Sequence, residues 1–334
     1  HQAVGPEFVG NPITAYQSWK AFLKPTTFGG NYTIKAACIG CTLDGSFSDV
    51  NISNVTFGDV WHCSGQSNMW LPVMNSFSQN ETLGNISMGK YSNIRVMAGN
   101  SASGTSNPWM TASQAAVVPP QQGRTPPVAP LLEFGAACWY FAQKLTDELE
   151  AVGKVVPLGL SDTAIGGQRI EEYMVNDSTL VACSERTGET SPEWNGRLFG
   201  QQTIPFVDMT IKGWVWYQGE NNMGGTKGNA IANIGYSCEQ RALVRGWRKI
   251  WSETPGTTDA LAPFGIVTLA SSGSEGGADI GAMRWAQTAS HGILPNPDMP
   301  NTFLAQVTSD DDDDDAAADD GDNGEDDDDG NGGG

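Results

Sequence analysis

The chain has 334 residues, 39% of them apolar, with 11 Trp and 12 Phe, enough for one large α/β domain or for such a domain with a small companion. Its net charge is −20, but 14 of the 38 acidic residues fall within residues 310–334, which hold no Lys or Arg, so the rest sets 24 acidic against 18 basic side chains. That balance excludes a nucleic-acid binder, whose phosphate contacts need clustered Lys and Arg, and no apolar run reaches the 18 residues of a transmembrane helix.

Residues 1–60 are rich in Gly, Thr and Asn with short apolar alternations, and read as β structure with turns. The alternating segment Val55 to Trp61 predicts a strand that continues through Cys63 into the loop at Ser67. Residues 98–130 carry many Ser, Gly and Pro and read as a long surface loop. Three- and four-residue spacing of Phe134, Cys138, Phe141, Ala142, Leu145, Leu149 and Val152 predicts an amphipathic helix from Phe134 to Val152. Short apolar strands are expected at Val155 to Leu160, Ile211 to Tyr217 and Phe264 to Leu269. Helices are expected at Cys238 to Trp251, with a basic face, and at Ile280 to Ser290. Strands alternating with helices point to an α/β fold, a three-layer sandwich around a parallel sheet. After Ser309 all apolar character ends, and like charges at that density cannot pack, so the Asp-rich tail is expected to be disordered. The expected division is a partial β-rich region at 1–54, a catalytic-type domain at 55–308 and the tail at 309–334.

Three predicted strands end in small or polar clusters: Gly65-Gln66-Ser67, Gly166-Gly167 and Gln218-Gly219-Glu220. Ligands of open α/β sheets bind at the carboxyl ends of strands, so these clusters bring a hydroxyl, backbone amides and a side-chain amide to one rim. Ser67 is the candidate nucleophile, against the plain alternative of a buried turn serine. Gln218 is a candidate oxyanion donor, against a glutamine that caps a strand; paired glycines such as Gly166 and Gly167 also simply make tight turns. Glu220 reads as a hydrogen-bond acceptor near the site rather than an acid or base. Of the three histidines, His1, His62 and His291, none sits in a catalytic setting: His62 reads as a strand residue facing away from Trp61, and His291 as a helix-end residue before Gly292. Trp61, Trp70, Trp214 and Trp216 lie by the motif loops, mostly as core, with one expected to shape a pocket.

Six Asn-x-Ser/Thr sequons, at Asn31, Asn51, Asn54, Asn80, Asn85 and Asn176, point to a secreted glycoprotein, with a lysosomal location as a variant. Six cysteines, Cys38, Cys41, Cys63, Cys138, Cys183 and Cys238, are compatible with disulfides whose pairing sequence alone does not give. Cys38-Ile-Gly-Cys41 has no second pair or His cluster beside it, so no metal is expected in the globular part. The chain begins at His1 with no visible signal peptide, so either a leader has been removed or the true start lies upstream.

The block Phe57-Gly58-Asp59-Val60-Trp61, followed by Gly65-Gln66-Ser67-Asn68-Met69, resembles the nucleophile segment of the sialate O-acetylesterases, which are SGNH-type hydrolases. Trp214 to Asn222 is similar to that family's second signature, and Ala286-Gln287-Thr288 with Pro295 to Thr302 to a third. The resemblance covers roughly residues 15–307. It implies an SGNH hydrolase-like fold, Ser67 as nucleophile, and an oxyanion hole made by the backbone amides of Ser67 and of a glycine of the 166–167 pair with the Gln218 side chain. It implies no metal or organic cofactor, and acetylated carbohydrate or sialoglycan as substrate. The family carries an Asp-x-x-His pair beyond the Pro-Asn-Thr segment, where this chain instead runs into its acidic tail. The leading expectation is an extracellular carbohydrate O-acetylesterase-like protein with little turnover for want of that base. The alternative is an inactive acidic matrix glycoprotein whose tail binds Ca²⁺ or a calcium mineral.

Overall fold

The structure, a computed structural model, describes residues 23–37, 50–98, 108–118, 128–187, 195–223, 230–270 and 279–306. His1, Cys38, Cys41 and the Asp-rich tail lie outside these residues. Strands β1 (Gly29–Ala36) and β2 (Val50–Phe57) pair antiparallel as a separate two-stranded sheet with largely exposed faces. The expected single strand from Val55 to Cys63 is in fact two. Gly58 separates β2 from β3 (Asp59–Gly65), and a Cβ at Gly58 would stand 2.1 Å from the Pro157 carbonyl oxygen.

After β3 come α1 (Ser67–Trp70), α2 (Gln79–Ser87), β4 (Ile94–Ala98), the two-residue β5 (Met110–Thr111) and α3 (Ala112–Ala115). Then follow α4 (Ala136–Ala151), β6 (Leu158–Asp162), α5 (Ser178–Thr187) and β7 (Gly213–Tyr217). The last elements are α6 (Ala230–Trp251), β8 (Phe264–Thr268), α7 (Ile280–Gln287) and β9 (Thr302–Gln306). The large sheet has the order β5-β4-β6-β3-β7-β8-β9, parallel throughout except for β5, which runs antiparallel to β4 at one edge. The α/β sandwich expected from sequence is present, with this one antiparallel edge strand. β9 was not foreseen, and β6 ends at Asp162 instead of Leu160.

Alternation along the central strands sorts the core into two layers. On β3, Trp61 turns to the α4 side, edge-on to Phe141 with ring centroids 4.9 Å apart. Its neighbour His62 turns to the α6 side, among Phe206, Trp247 and Trp251. β7, Gly-Trp-Val-Trp-Tyr, is buried at every position because sheet neighbours and helices cover both its faces, which explains its continuous apolar run. Trp214 packs on Trp251 and Phe264, and Trp216 on Tyr173 and Trp247. The four cysteines among the described residues pair as Cys63–Cys138, tying β3 to α4, and Cys183–Cys238, tying α5 to α6.

The strand order turns about β3. From β3 the chain builds β4, β5 and β6 on one side, then crosses to build β7, β8 and β9 on the other. The loops that follow β3, β6 and β7 therefore leave neighbouring strands at one edge, at the switch point where open α/β sheets bind ligands.

Candidate active site

Gly65 ends β3 at φ +147°, and a Cβ there would stand 2.0 Å from the Tyr217 carbonyl oxygen. Only glycine allows the chain to leave β3 this close to β7. The Gly65 carbonyl accepts from the Tyr173 hydroxyl at 2.7 Å and from the Ile165 N–H at 3.1 Å. The Ile165 N–H is shared with the Tyr173 oxygen at 3.1 Å. These bonds hold the loop after β6 against the loop after β3.

Ser67 opens α1 and is exposed at the rim, so it is not a buried turn serine. A Cβ built on Gly166 would stand 3.6 Å from Ser67 Cβ and 3.9 Å from the Trp70 ring, so the Gly166 backbone forms the near wall of Ser67. Gly167 holds a positive φ of 75°, which glycine adopts freely, and its carbonyl accepts from the Asn221 side chain. The sequence-predicted Ser67, Gly166 and Gly167 thus come together. Of the four tryptophans by the motif loops, Trp70 is the exposed one beside Ser67, whereas Trp61, Trp214 and Trp216 are buried core.

Gln218 has a different setting from that expected. It is fully buried, and its Nε2 donates to Gln66 Oε1 at 3.0 Å, the Gln168 carbonyl at 3.1 Å and Asn222 Oδ1 at 2.7 Å. Its Oε1 accepts from the Tyr236 hydroxyl at 2.8 Å. Two amide hydrogens facing three protein acceptors leave no donor turned to solvent, so in this structure Gln218 pins loops together behind Ser67.

Apart from Glu220, the residues that complete this scaffold had no role assigned from the sequence. Gln66 Oε1 gathers the loop after β7 by accepting also from the backbone N–H groups of Asn221 at 3.3 Å and Gly219 at 3.4 Å. Asn68 donates to Glu220, the acceptor role expected of that carboxylate. Asn222 donates to Glu171 at 2.8 Å and accepts from the Ile170 N–H at 3.1 Å. The buried Glu171 and Glu172 carboxylates are met by Arg169 at 3.0 Å and Arg197 at 2.6 Å, which compensates their loss of water. The motif positions of Gln66, Asn68 and Asn222 were the available signal; their partners, about 50 to 150 residues away in sequence, were not readable.

Neither described histidine serves Ser67. His62 Nδ1 lies 2.8 Å from the Ser161 hydroxyl and Nε2 3.3 Å from that of Thr163, and burial pulls its pKa down to about 3. It is a neutral core residue, turned away from Trp61 as expected. His291 Nε2 lies 3.2 Å from Asp298 Oδ2, beside Arg241 at 3.1 Å from the same oxygen. That pair keeps the Asp298 carboxyl below its ordinary range. At the end of β6, Asp162 accepts from the backbone N–H groups of Ala164 at 3.0 Å and Gly135 at 3.2 Å. Burial outweighs those two bonds and pushes its pKa up to about 7.

No family model matches the chain. The chain is 32% identical over 320 residues to the sialate O-acetylesterase of Pongo abelii and 31% identical over 320 residues to that of Homo sapiens, in each case across 90% of this chain and 57% of the relative. The Rattus norvegicus sialate O-acetylesterase is 31% identical over 348 residues, 60% of its length. This chain therefore spans somewhat over half the length of these curated relatives. The crystal structure of a carbohydrate acetylesterase from Xanthomonas citri superposes with a TM-score of 0.59 at 23% identity, over 86% of this chain and 57% of that one, and so shares its fold. With Ser67, Gly166 and Gln218 falling inside the nine-tenths of the chain that aligns at 31 to 32% identity, this chain is a relative of the sialate O-acetylesterases.

Proposed function

We propose that the chain carries the nucleophile half of a serine-type carbohydrate O-acetylesterase. The observation that supports it most is Ser67, exposed at the carboxyl end of the central strand with the Gly166 backbone as its near wall. Ser67 Oγ would attack the acetyl carbonyl carbon, giving up its proton to a base. The sugar oxygen would leave with a proton, and water would then release acetate from the acyl-serine. The first N–H groups of a helix have no intrahelical acceptor, so the Ser67 N–H is available to the oxyanion, together with a glycine amide of the 166–167 pair. Gln218 would join as a third donor only by releasing one of its protein acceptors; otherwise it acts by positioning the loops. An acetylated carbohydrate, a sialoglycan among them, is the substrate class in keeping with the relatives' names.

Attack by Ser67 needs a base to take up its proton. β9 runs parallel to β8, so the chain beyond Gln306 leaves the sheet at the edge where Ser67 stands. A His contributed from beyond β9 would thus be on the correct side. The engagement of both described histidines elsewhere favours a second reading, a secreted glycoprotein that keeps the esterase scaffold without turnover, with an acidic tail whose carboxylates suit Ca²⁺ or a calcium mineral. A secreted location is supported by two disulfides and by sequons of which Asn31, Asn51, Asn54, Asn80 and Asn176 are exposed.

The experiment is labelling with a serine-directed fluorophosphonate alongside hydrolysis of O-acetylated sialic acid. Slow labelling confined to Ser67 and lost in Ser67→Ala supports the nucleophile. Labelling that survives Ser67→Ala refutes it. Acetate release well above that of Ser67→Ala favours the esterase, and release equal to it favours the inactive glycoprotein.

A further inference from the structure

The outer face of α6 is the basic pole of an acidic protein. Arg241, Arg245 and Lys249 recur at four-residue spacing and so lie along one stripe. On the buried side of the helix Trp247 and Trp251 pack on His62, Trp214 and Trp216 of the sheet, and Trp247 with Leu243 also reaches the groove described next. The stripe borders a groove of about 510 Å³ whose floor and opposite wall include Met174, Val175 and Gly246. A Cβ at Gly246 would touch only Val175, at 3.7 Å, which leaves the floor open.

The charge along this groove is only partly compensated. Asp298 alone answers Arg241 at 3.1 Å and Arg245 at 3.5 Å, and it is shared with His291. Asp177, in the opposite wall, already accepts the backbone N–H groups of Thr179 and Leu180 at the start of α5. Among the described residues no carboxylate forms an ion pair with Lys249, and Glu253 lies past the end of the helix.

We propose that the groove along Arg241, Arg245 and Lys249 is the docking site of this chain's own Asp-rich segment, residues 310–329. Charge complementarity and reach both support this. The segment brings 14 carboxylates with no cation among them. It begins four residues after β9, and β9 itself is joined to α6, because Arg248 donates to the carbonyls of Pro300 at 2.8 Å and Asn301 at 2.9 Å just before the strand. An extended chain covers about 3.3 Å per residue, so the 23 residues from Gln306 to Asp329 reach roughly 75 Å. A return down β9 and along the stripe needs only roughly 30 Å, from about 3.3 Å per strand residue and 1.5 Å per helical residue. Tethering at that length holds the segment at an effective concentration on the order of millimolar, so a contact of only about millimolar intrinsic affinity is already half occupied. The contact is independent of the acetylesterase reading.

The test is zero-length carbodiimide coupling followed by peptide mapping, on chain made without glycans because the Asn176 sequon adjoins the groove wall. Lys249 is the one amine on α6, and it should couple to residues 310–329 several-fold more than the exposed Lys90, Lys144, Lys154 and Lys212. Arg245→Gln should lower that coupling at least about threefold, and 0.5 M salt should remove most of it by screening. A chain ending at Ser309 should lose it entirely. Coupling spread evenly over all the lysines, or Lys249 coupling insensitive to salt and to Arg245→Gln, would overturn the proposal. So would coupling found only between light and heavy chains in an isotopic mixture, since that means docking to a second copy.

Discussion

Two buried ionisable groups on adjoining strands set opposite pH dependences of stability. His62 pairs in register with Ser161, and Cys63 with Asp162, so the two groups sit one residue apart across β3 and β6. The folded His62 pKa is about 3 against 6.5 unfolded. As pH falls below 6.5 the unfolded chain takes up a proton that the folded chain refuses, so stability is lost between about pH 6.5 and 3, by about 5 kcal/mol in all. The folded Asp162 pKa is about 7 against 3.8. Between these values the folded chain keeps a proton that the unfolded one releases, so stability is gained as pH falls from about 7 to 3.8, by about 4 kcal/mol. The two contributions nearly cancel between pH 4 and 6.5. Asp162→Asn should expose the histidine term, making the stability of the variant fall about 1.4 kcal/mol per pH unit more steeply on acidification than that of the native chain. His62→Gln should do the reverse. Urea unfolding at pH 4.5, 5.5, 6.5 and 7.5 measures both, and packing losses drop out because they do not vary with pH. Parallel stability profiles for native chain and Asp162→Asn would refute the reasoning.

Gly65→Ala should cost more than about 4 kcal/mol, because its Cβ would overlap the Tyr217 carbonyl oxygen at 2.0 Å and backbone cannot move aside cheaply. A shift of under 1 kcal/mol in urea unfolding would show that β3 leaves the sheet differently. Native material treated with an N-glycan-removing enzyme should drop in apparent mass, given the five exposed sequons; an unchanged mass would sink the secretory reading.

The central architecture was legible where one signal dominated. Gly213 to Tyr217 is a continuous apolar run ending in a polar cluster, and α4 carries its apolar stripe at helical spacing, so both were found within two residues. The last residues of β6, Ser161 and Asp162, are polar but buried, their partners being His62, the Gly135 N–H and the nearby Ala164 N–H, so hydropathy stopped the strand early. β9 is a half-exposed edge strand of five residues behind a proline-rich turn, too weak a pattern to read alone. Ser67 and Gly166 were legible because motif and strand end coincide. The setting of Gln218 was not, because it depends on Gln66, Gln168, Asn222 and Tyr236 meeting in three dimensions.

The two disulfides close separate rings of chain, residues 63 to 138 and 183 to 238, with no residue in common. One ring crosses from the sheet to the helix on its first face, and the other joins two helices on the second. In denaturant neither layer can drift fully away, so the unfolded chain stays compact, exposes less new surface, and its urea transition broadens. Each closure removes disorder from that ensemble worth about 4 kcal/mol in the chain-entropy model. Reduction would return both rings to open chain, so the folding yield of this protein is tied to the oxidant available while it is made.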